Sequence, residues 1–170
     1  MNEENVSVVF LFFTNSHKIM SHSLSKLCVH IVFHTKHNQD LIDAEIEAEL
    51  YAFIGGVIKE NQSIPIKING IENHIHILAI MSKNIALSKF VEEIKRKSSR
   101  WIKTKGEKYR NFAWQGGYGG FSVCDSSLNR LILYIANQKV HHKRITFQEE
   151  YENYLKEHNI EYDERYLWSD

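Results

Sequence analysis

Along this chain the spacing of apolar positions changes period several times, and each change predicts an element. Residues 24–35 (LSKLCVHIVFHT) mix alternation with β-branched and aromatic residues, then run into Lys36-His37-Asn38-Gln39-Asp40. That is the pattern of a strand followed by a loop in which Asn38 or Asp40 can cap the next element. Over 41–61 the apolar residues Ile42, Ile46, Leu50, Phe53, Ile54, Val57 and Ile58 keep helical spacing. One long helix is expected there, tolerating Gly55 and Gly56 at about 1 kcal/mol each relative to alanine. The glycine pair is expected to admit a neighbouring backbone. Residues 63–71 alternate at period two, with Pro65 suited to a strand start or edge, and a tight turn near Asn69-Gly70 leads into a second strand over 73–80.

A helix opening at Asn84 carries Leu87, Phe90, Val91, Ile94, Ser98 and Trp101 on its apolar stripe. Glycines 116, 117, 119 and 120 then interleave with Trp114, Tyr118 and Phe121. So much glycine predicts that part of this stretch is mobile or specially bent, before a short strand-like piece. Asp125-Ser126 caps a further helix with Leu128, Leu131, Ile132 and Ile135 as its buried stripe, and Thr146-Phe147-Gln148-Glu149 is a capping box opening an acidic last helix to about residue 158. The order β-α-β-β-α-β is the ferredoxin-like split motif. It predicts an α+β fold with one antiparallel sheet backed by two helices, a central second hairpin strand, a C-terminal tyrosine-bearing helix and a further acidic helix.

Composition changes this picture little. At 170 residues, 43% hydrophobic and 25% charged, the chain suits one domain with its own core. Residues 1–19 look unlike the rest of the chain and are expected to be an extension outside a domain of 20–170. Charge matters more. The net charge of zero is a cancellation: residues 83–110 hold ten Lys/Arg against three Glu, and residues 147–170 hold eight Asp/Glu against two basic residues. Such asymmetry points to a polyanion partner. Lys89, Arg96, Arg100 and Lys103 line one side of the basic helix, joined by Lys95 and Lys97, as either a solvated face or a track for phosphates. Cys28 and Cys124 stand apart in the sequence, which argues against a disulfide framework or thiolate metal site and fits a reducing cytoplasm. No stretch nears the roughly 20 apolar residues of a membrane span, and the run 6–13 is preceded by Glu3 and Glu4 instead of a basic leader. No membrane partner is expected.

The candidate chemistry sits on the second hairpin strand. In His74-Ile75-His76 both imidazoles point to one face, about 7 Å apart along the strand, where they can converge on a cation without completing its shell. Ordinary polarity on the wet face of a half-covered sheet is the alternative. On the later helix Arg130, Tyr134, Gln138 and His141 share a side. Tyr134 could equally pack beneath the sheet, Gln138 could be a surface amide, and His141 and His142 could cap a helix C-terminus.

Taken together and in order, these residues resemble the HUH single-tyrosine transposases, in the branch that includes the REP-associated tyrosine transposases. The resemblance spans residues 21–168. It rests on His74-Ile75-His76, on Tyr134-Ile135-Ala136-Asn137-Gln138, on the strand ending His30-Ile31-Val32-Phe33-His34-Thr35-Lys36, on Ile94-Lys95-Arg96-Lys97-Ser98-Ser99, on the stretches Trp114-Gln115-Gly116-Gly117-Tyr118 and Phe121-Ser122-Val123, and on the ending Tyr162-Asp163-Glu164-Arg165-Tyr166-Leu167-Trp168. It implies that His74, His76 and Gln138 bind a divalent cation, Mg²⁺ or Mn²⁺, and that Tyr134 attacks a DNA phosphodiester to give a 5′-phosphotyrosine. It further implies single-stranded or hairpin DNA as substrate, a homodimer whose active site can be shared between subunits, and a bacterial cytoplasmic location with association to the nucleoid during action. The glycines at 116, 117, 119 and 120 would then be a flexible link letting the tyrosine helix move. His34, His141 and His142 are candidates for acid–base roles, none of them carried over from the family. Two other readings stay open: a domesticated nuclease acting on chromosomal hairpins, and a non-catalytic nucleic-acid-binding module with structural histidines.

Overall fold

The computed structural model describes residues 23–168. The expected extension over 1–19 lies outside the described residues. Four strands make one antiparallel sheet among them: β1 (Leu27–His34), β2 (Ile64–Gly70), β3 (His74–Met81) and β4 (Gly119–Ser122), in the spatial order β2-β3-β1-β4. This is the ferredoxin-like order, and the histidine strand is central. Helices α1 (Ala44–Glu60) and α2 (Leu87–Ile102) fill the crossovers and pack on one face over Ile31, Phe33, Ile75, Ile77 and Ala79. Period-two alternation sends the neighbouring residues His30, Val32, His74, His76 and Leu78 to the other face.

That other face is covered as well, so it is not wet. Helix α3 (Asp125–Ala136) lays Ile135 over Cys28 and Leu78. Helix α5 (Phe147–Glu157) packs Phe147, Tyr151 and Leu155 against Val32 and Phe121. Between them lies the single turn α4 (Gln138–His141), and the short α6 (Glu164–Leu167) ends the described chain. Ordinary sheet polarity therefore does not account for His74 and His76, which are fully buried. No helix of the described residues is long and apolar enough to cross a membrane.

Several local expectations shift. Helix α1 starts at Ala44 after Asp43, and neither Asn38 nor Asp40 caps it; Asp43 accepts bonds from Tyr109 and Lys108 instead. Helix α2 starts at Leu87, three residues after Asn84. Gly55 and Gly56 face open space and admit no second backbone. The hairpin turn is Ile71-Glu72-Asn73, one step beyond Asn69-Gly70. Gly70 is still required, since a Cβ there would lie 2.1 Å from the His74 carbonyl oxygen. The glycine-rich stretch is not a hinge before the tyrosine helix. Gly119 and Gly120 belong to β4, where a Cβ on Gly119 would meet the Tyr151 ring at 2.8 Å, and only Val123 and Cys124 join β4 to α3. The carbonyls of Gln115 and Gly117 are held by the Lys95 ammonium.

The expected single helix over Tyr134 and Gln138 is broken at Asn137, whose φ of −101° and ψ of 18° end α3. The cause sits on β2. The Asn69 amide donates to the carbonyls of Ile135 at 2.7 Å and Ala136 at 3.1 Å, satisfying groups that a continuing helix would have used. The capping box at Thr146 and Glu149 forms as read, and Pro65 sits on the edge strand β2 beside a register shift.

Two glycines give opposite expectations. Gly56→Ala should stabilise by up to about 1 kcal/mol, through helix propensity in open space. Gly70→Ala should destabilise by several kcal/mol, on the order of a severe core defect, because backbone must move. Paired thermal melts check both, and equal midpoints for the two variants would refute this account of Gly70.

Candidate active site

Position 150 was absent from the site expected from sequence, yet its side chain is what the site converges on. Glu150, on the inward stripe of α5 with Phe147, Tyr151 and Leu155, is 3% exposed. Its Oε2 lies 3.2 Å from His142 Nε2, 3.3 Å from His76 Nε2 and 3.6 Å from His74 Nε2. Its Oε1 accepts hydrogen bonds from the Tyr134 hydroxyl and, at 3.1 Å, from the Gln138 amide nitrogen. One carboxylate thus joins β3, α3, α4 and the link into α5.

Tyr134, Gln138, His74 and His76 are therefore brought together, although α3 and β3 are far apart in sequence. The His76 and Tyr134 rings lie 6.1 Å apart, and the tyrosine meets the histidines of its own chain. Of the acid–base candidates, His141 Nε2 is 3.2 Å from the Tyr134 hydroxyl, His142 faces Glu150, and His34 packs away from both against Phe147 and Trp168. His30, unremarked in the sequence, places Nε2 3.0 Å from His76 Nδ1.

The electrostatics are set by burial. Burial drives His74 and His30 well below the usual imidazole range, so both are neutral. Burial alone would raise the Glu150 carboxyl, but the facing groups of His76, His142 and His74 outweigh it and hold it far below the carboxylate range. Burial, then the Glu150 charge, pushes the Tyr134 phenol far above its ordinary value, so it is a protonated donor. Strongly displaced ionisation of this kind gathers where chemistry is done.

The donor set fits a cation. Nε2 of His74, His76 and His142, Oε1 of Gln138 and Oε2 of Glu150 are all buried without a hydrogen-bond partner. The ligating atoms of His74, His76, His142 and Glu150 lie within 4.8 Å of one another. Buried polar atoms left bare together cost free energy that a shared ion would recover.

A cleft of about 700 Å³ opens from the surface to Tyr134 between β4, α3 and α5, walled by Phe121, Tyr154 and His158 with Arg130 at its side. The basic stripe is elsewhere. It lies on α2, across the sheet from the histidines. Lys89 pairs with Glu92 and Glu93, Arg96 with Glu93, and Lys97 with Glu60, while Arg100 and Lys103 are exposed.

Residues 23–138 match the family model described as "Transposase IS200 like". Among solved structures, a Deinococcus radiodurans R1 protein assigned to the transposases superposes with a TM-score of 0.56 at 19% identity, over 72% of this chain and 98% of that one. A REP-associated tyrosine transposase bound to a REP hairpin superposes with a TM-score of 0.55 at 11% identity, over 76% of each chain. At those identities the likeness is one of fold. No curated protein matches the chain significantly. The family match covers most of the described residues, from β1 to Gln138, and so includes the histidine strand and the tyrosine helix. The chain belongs to the IS200-like transposase family, a family of DNA-transposing enzymes.

Proposed function

We propose that residues 20–170 act as one metal-dependent transposase domain that cleaves and rejoins single-stranded DNA at hairpin-marked ends through Tyr134. The observation that carries this is the convergence of the Tyr134 hydroxyl with the bare nitrogens of His74 and His76 on one buried carboxylate. A related fold bound to a REP hairpin supports the class of DNA. The cleft beside Tyr134 supports a single strand, since its aromatic walls offer stacking surfaces to unpaired bases.

In this reading the phosphodiester enters the cleft and the Tyr134 oxygen attacks phosphorus. The bond from phosphorus to the 3′-oxygen breaks, leaving a 5′-phosphotyrosine and a 3′-hydroxyl. The phenolic proton passes to the neutral imidazole of His141, whose Nε2 lies 3.2 Å from the hydroxyl, while Glu150 Oε1 holds that hydroxyl in place, and the departing 3′-oxygen takes a proton from water. An unassisted tyrosine is about one part in a thousand ionised at pH 7, and burial raises that handicap, so an acceptor in contact is needed. His74, His76 and Gln138 would hold the divalent cation, Mg²⁺ or Mn²⁺, which when bound supplies Lewis acidity to a phosphate oxygen. Reversal by a 3′-hydroxyl gives strand transfer. A homodimer belongs to the proposal, and the exposed apolar side chains of Leu133 and Val140, flanking Tyr134 and Gln138, are surface that such an assembly would cover. So does action in the bacterial cytoplasm, on the nucleoid.

Incubating the protein with a 3′-labelled hairpin oligonucleotide and Mg²⁺ or Mn²⁺ should give a denaturation-resistant adduct. It should vanish in Tyr134→Phe and on chelation of the metal. Binding without any adduct in the wild type would leave only a nucleic-acid-binding module.

Lys89, Lys95, Arg96, Lys97, Arg100 and Lys103 are proposed to track the DNA backbone on the far side of the sheet. Charge reversal at Arg96 and Arg100 should then lower the slope of log affinity against log salt by about 0.7 for each phosphate that is no longer neutralised. An unchanged slope would remove these residues from the DNA path.

A further inference from the structure

We infer that Glu150 and His142 are metal ligands beside His74, His76 and Gln138, making a centre of three imidazoles, a carboxylate and an amide oxygen that selects a first-row transition ion such as Zn²⁺ or Mn²⁺ over Mg²⁺. This rests on the metal-dependent reading above and names two ligands beyond that set.

The far side of each ring fixes what its near side can do. His74 Nδ1 is 2.8 Å from Asn73 Oδ1, and His142 Nδ1 is 3.0 Å from the Ile145 carbonyl oxygen. Both partners are acceptors, so both Nδ1 atoms carry the proton and donate it. A neutral imidazole protonated at Nδ1 leaves Nε2 as a bare lone pair. His76 has its Nδ1 held by His30 Nε2 and turns its own Nε2 inward. Two lone pairs, those of His74 and His142, therefore face the Glu150 Oε2, the His76 Nε2 turns to the same point, and none of the four atoms has a hydrogen-bond partner. Donors do not gather around nothing in a buried space; a cation between them turns mutual repulsion into ligation.

The kind of ligand then chooses among cations. The three nitrogens lie 3.2, 3.3 and 3.6 Å from Oε2, close enough for one ion to be shared. Octahedral Mg²⁺ takes oxygen ligands and keeps several waters, which a nitrogen-rich buried cage does not provide. Imidazole favours the borderline transition ions, in rising affinity from Mn²⁺ toward Cu²⁺. Glu150 can serve metal and nucleophile together, because Oε2 faces the rings while Oε1 holds the Tyr134 hydroxyl.

The test measures metal binding without DNA, on the full chain stripped of metal. Co²⁺ titration should give one site per chain with the intense visible bands of a four- or five-coordinate centre, displaced by Zn²⁺ and not by equal Mg²⁺. Glu150→Gln and His142→Asn should each weaken binding by at least about 100-fold and alter the bands, more than is usual for residues that merely orient ligands. In wild-type protein labelled with ¹⁵N-histidine, Zn²⁺ should shift three Nε2 resonances, a readout independent of whether any variant folds. Shifts confined to two imidazoles, or variants that keep wild-type affinity and spectrum, would overturn the proposal, as would preference for Mg²⁺. Tyr134→Phe should retain the metal while losing the DNA adduct, so failure of the nucleophile and failure of the ligand set read out separately.

Discussion

A negative charge held out of water at position 150 is the constraint around which this protein is arranged. An ionised carboxylate that is 3% exposed costs several kcal/mol to desolvate unless its surroundings answer it. Here one oxygen is answered by donors, a phenol on α3 and an amide on α4, while the other faces a pair of imidazoles on β3 and a third between α4 and α5 with no hydrogen bond made. Packing on the second face of the sheet is thereby tied to the chemistry. Phe147, Tyr151 and Leu155 seat α5 on Val32 and Phe121, and the same helix turns Glu150 inward.

The residues that orient the rings are ordinary backbone and amide acceptors in short connections. Asn73 lies in the hairpin turn, and Ile145 lies in the link between α4 and α5. Neither would draw notice in the sequence. Each fixes a proton on the outer nitrogen of a histidine and so decides what the inner nitrogen can do. The choice of tautomer is made by loops, and the choice of position by the sheet.

Much of the fold was legible because its periodicities are clean. The alternation in 63–71 and 73–80 and the helical stripes on α1 and α2 gave the order of elements and the ferredoxin-like sheet. What failed was punctuation. Asn84 offered a cap that the chain does not use, and Gly70 read as a turn residue although its role is to let the His74 carbonyl come close. The break at Asn137 was invisible because its cause is the Asn69 amide, remote in sequence and near in space. The site divided the same way. His74, His76, Tyr134 and Gln138 stood out through spacing and through the family resemblance. Glu150 was masked by the acidic composition of its helix, though a glutamate on the same stripe as Phe147, Tyr151 and Leu155 is itself a departure from pattern. The movable glycine link failed for a physical reason, since half of those glycines are strand residues against which Tyr151 and Leu87 pack.

Asn69 bears on how accurately the Tyr134 hydroxyl is aimed. Its backbone stands opposite His76 in the sheet, and its side chain grips the last carbonyls of the tyrosine helix. The distance from Tyr134 to the histidines is therefore gauged across the sheet, by this side chain together with the seating of Ile135 on Cys28 and Leu78, and not accumulated along the intervening sequence. A tyrosine helix handed to a neighbouring subunit would leave this gauge behind. It would be aimed equally well only by finding another amide at the corresponding place, on the chain that receives it.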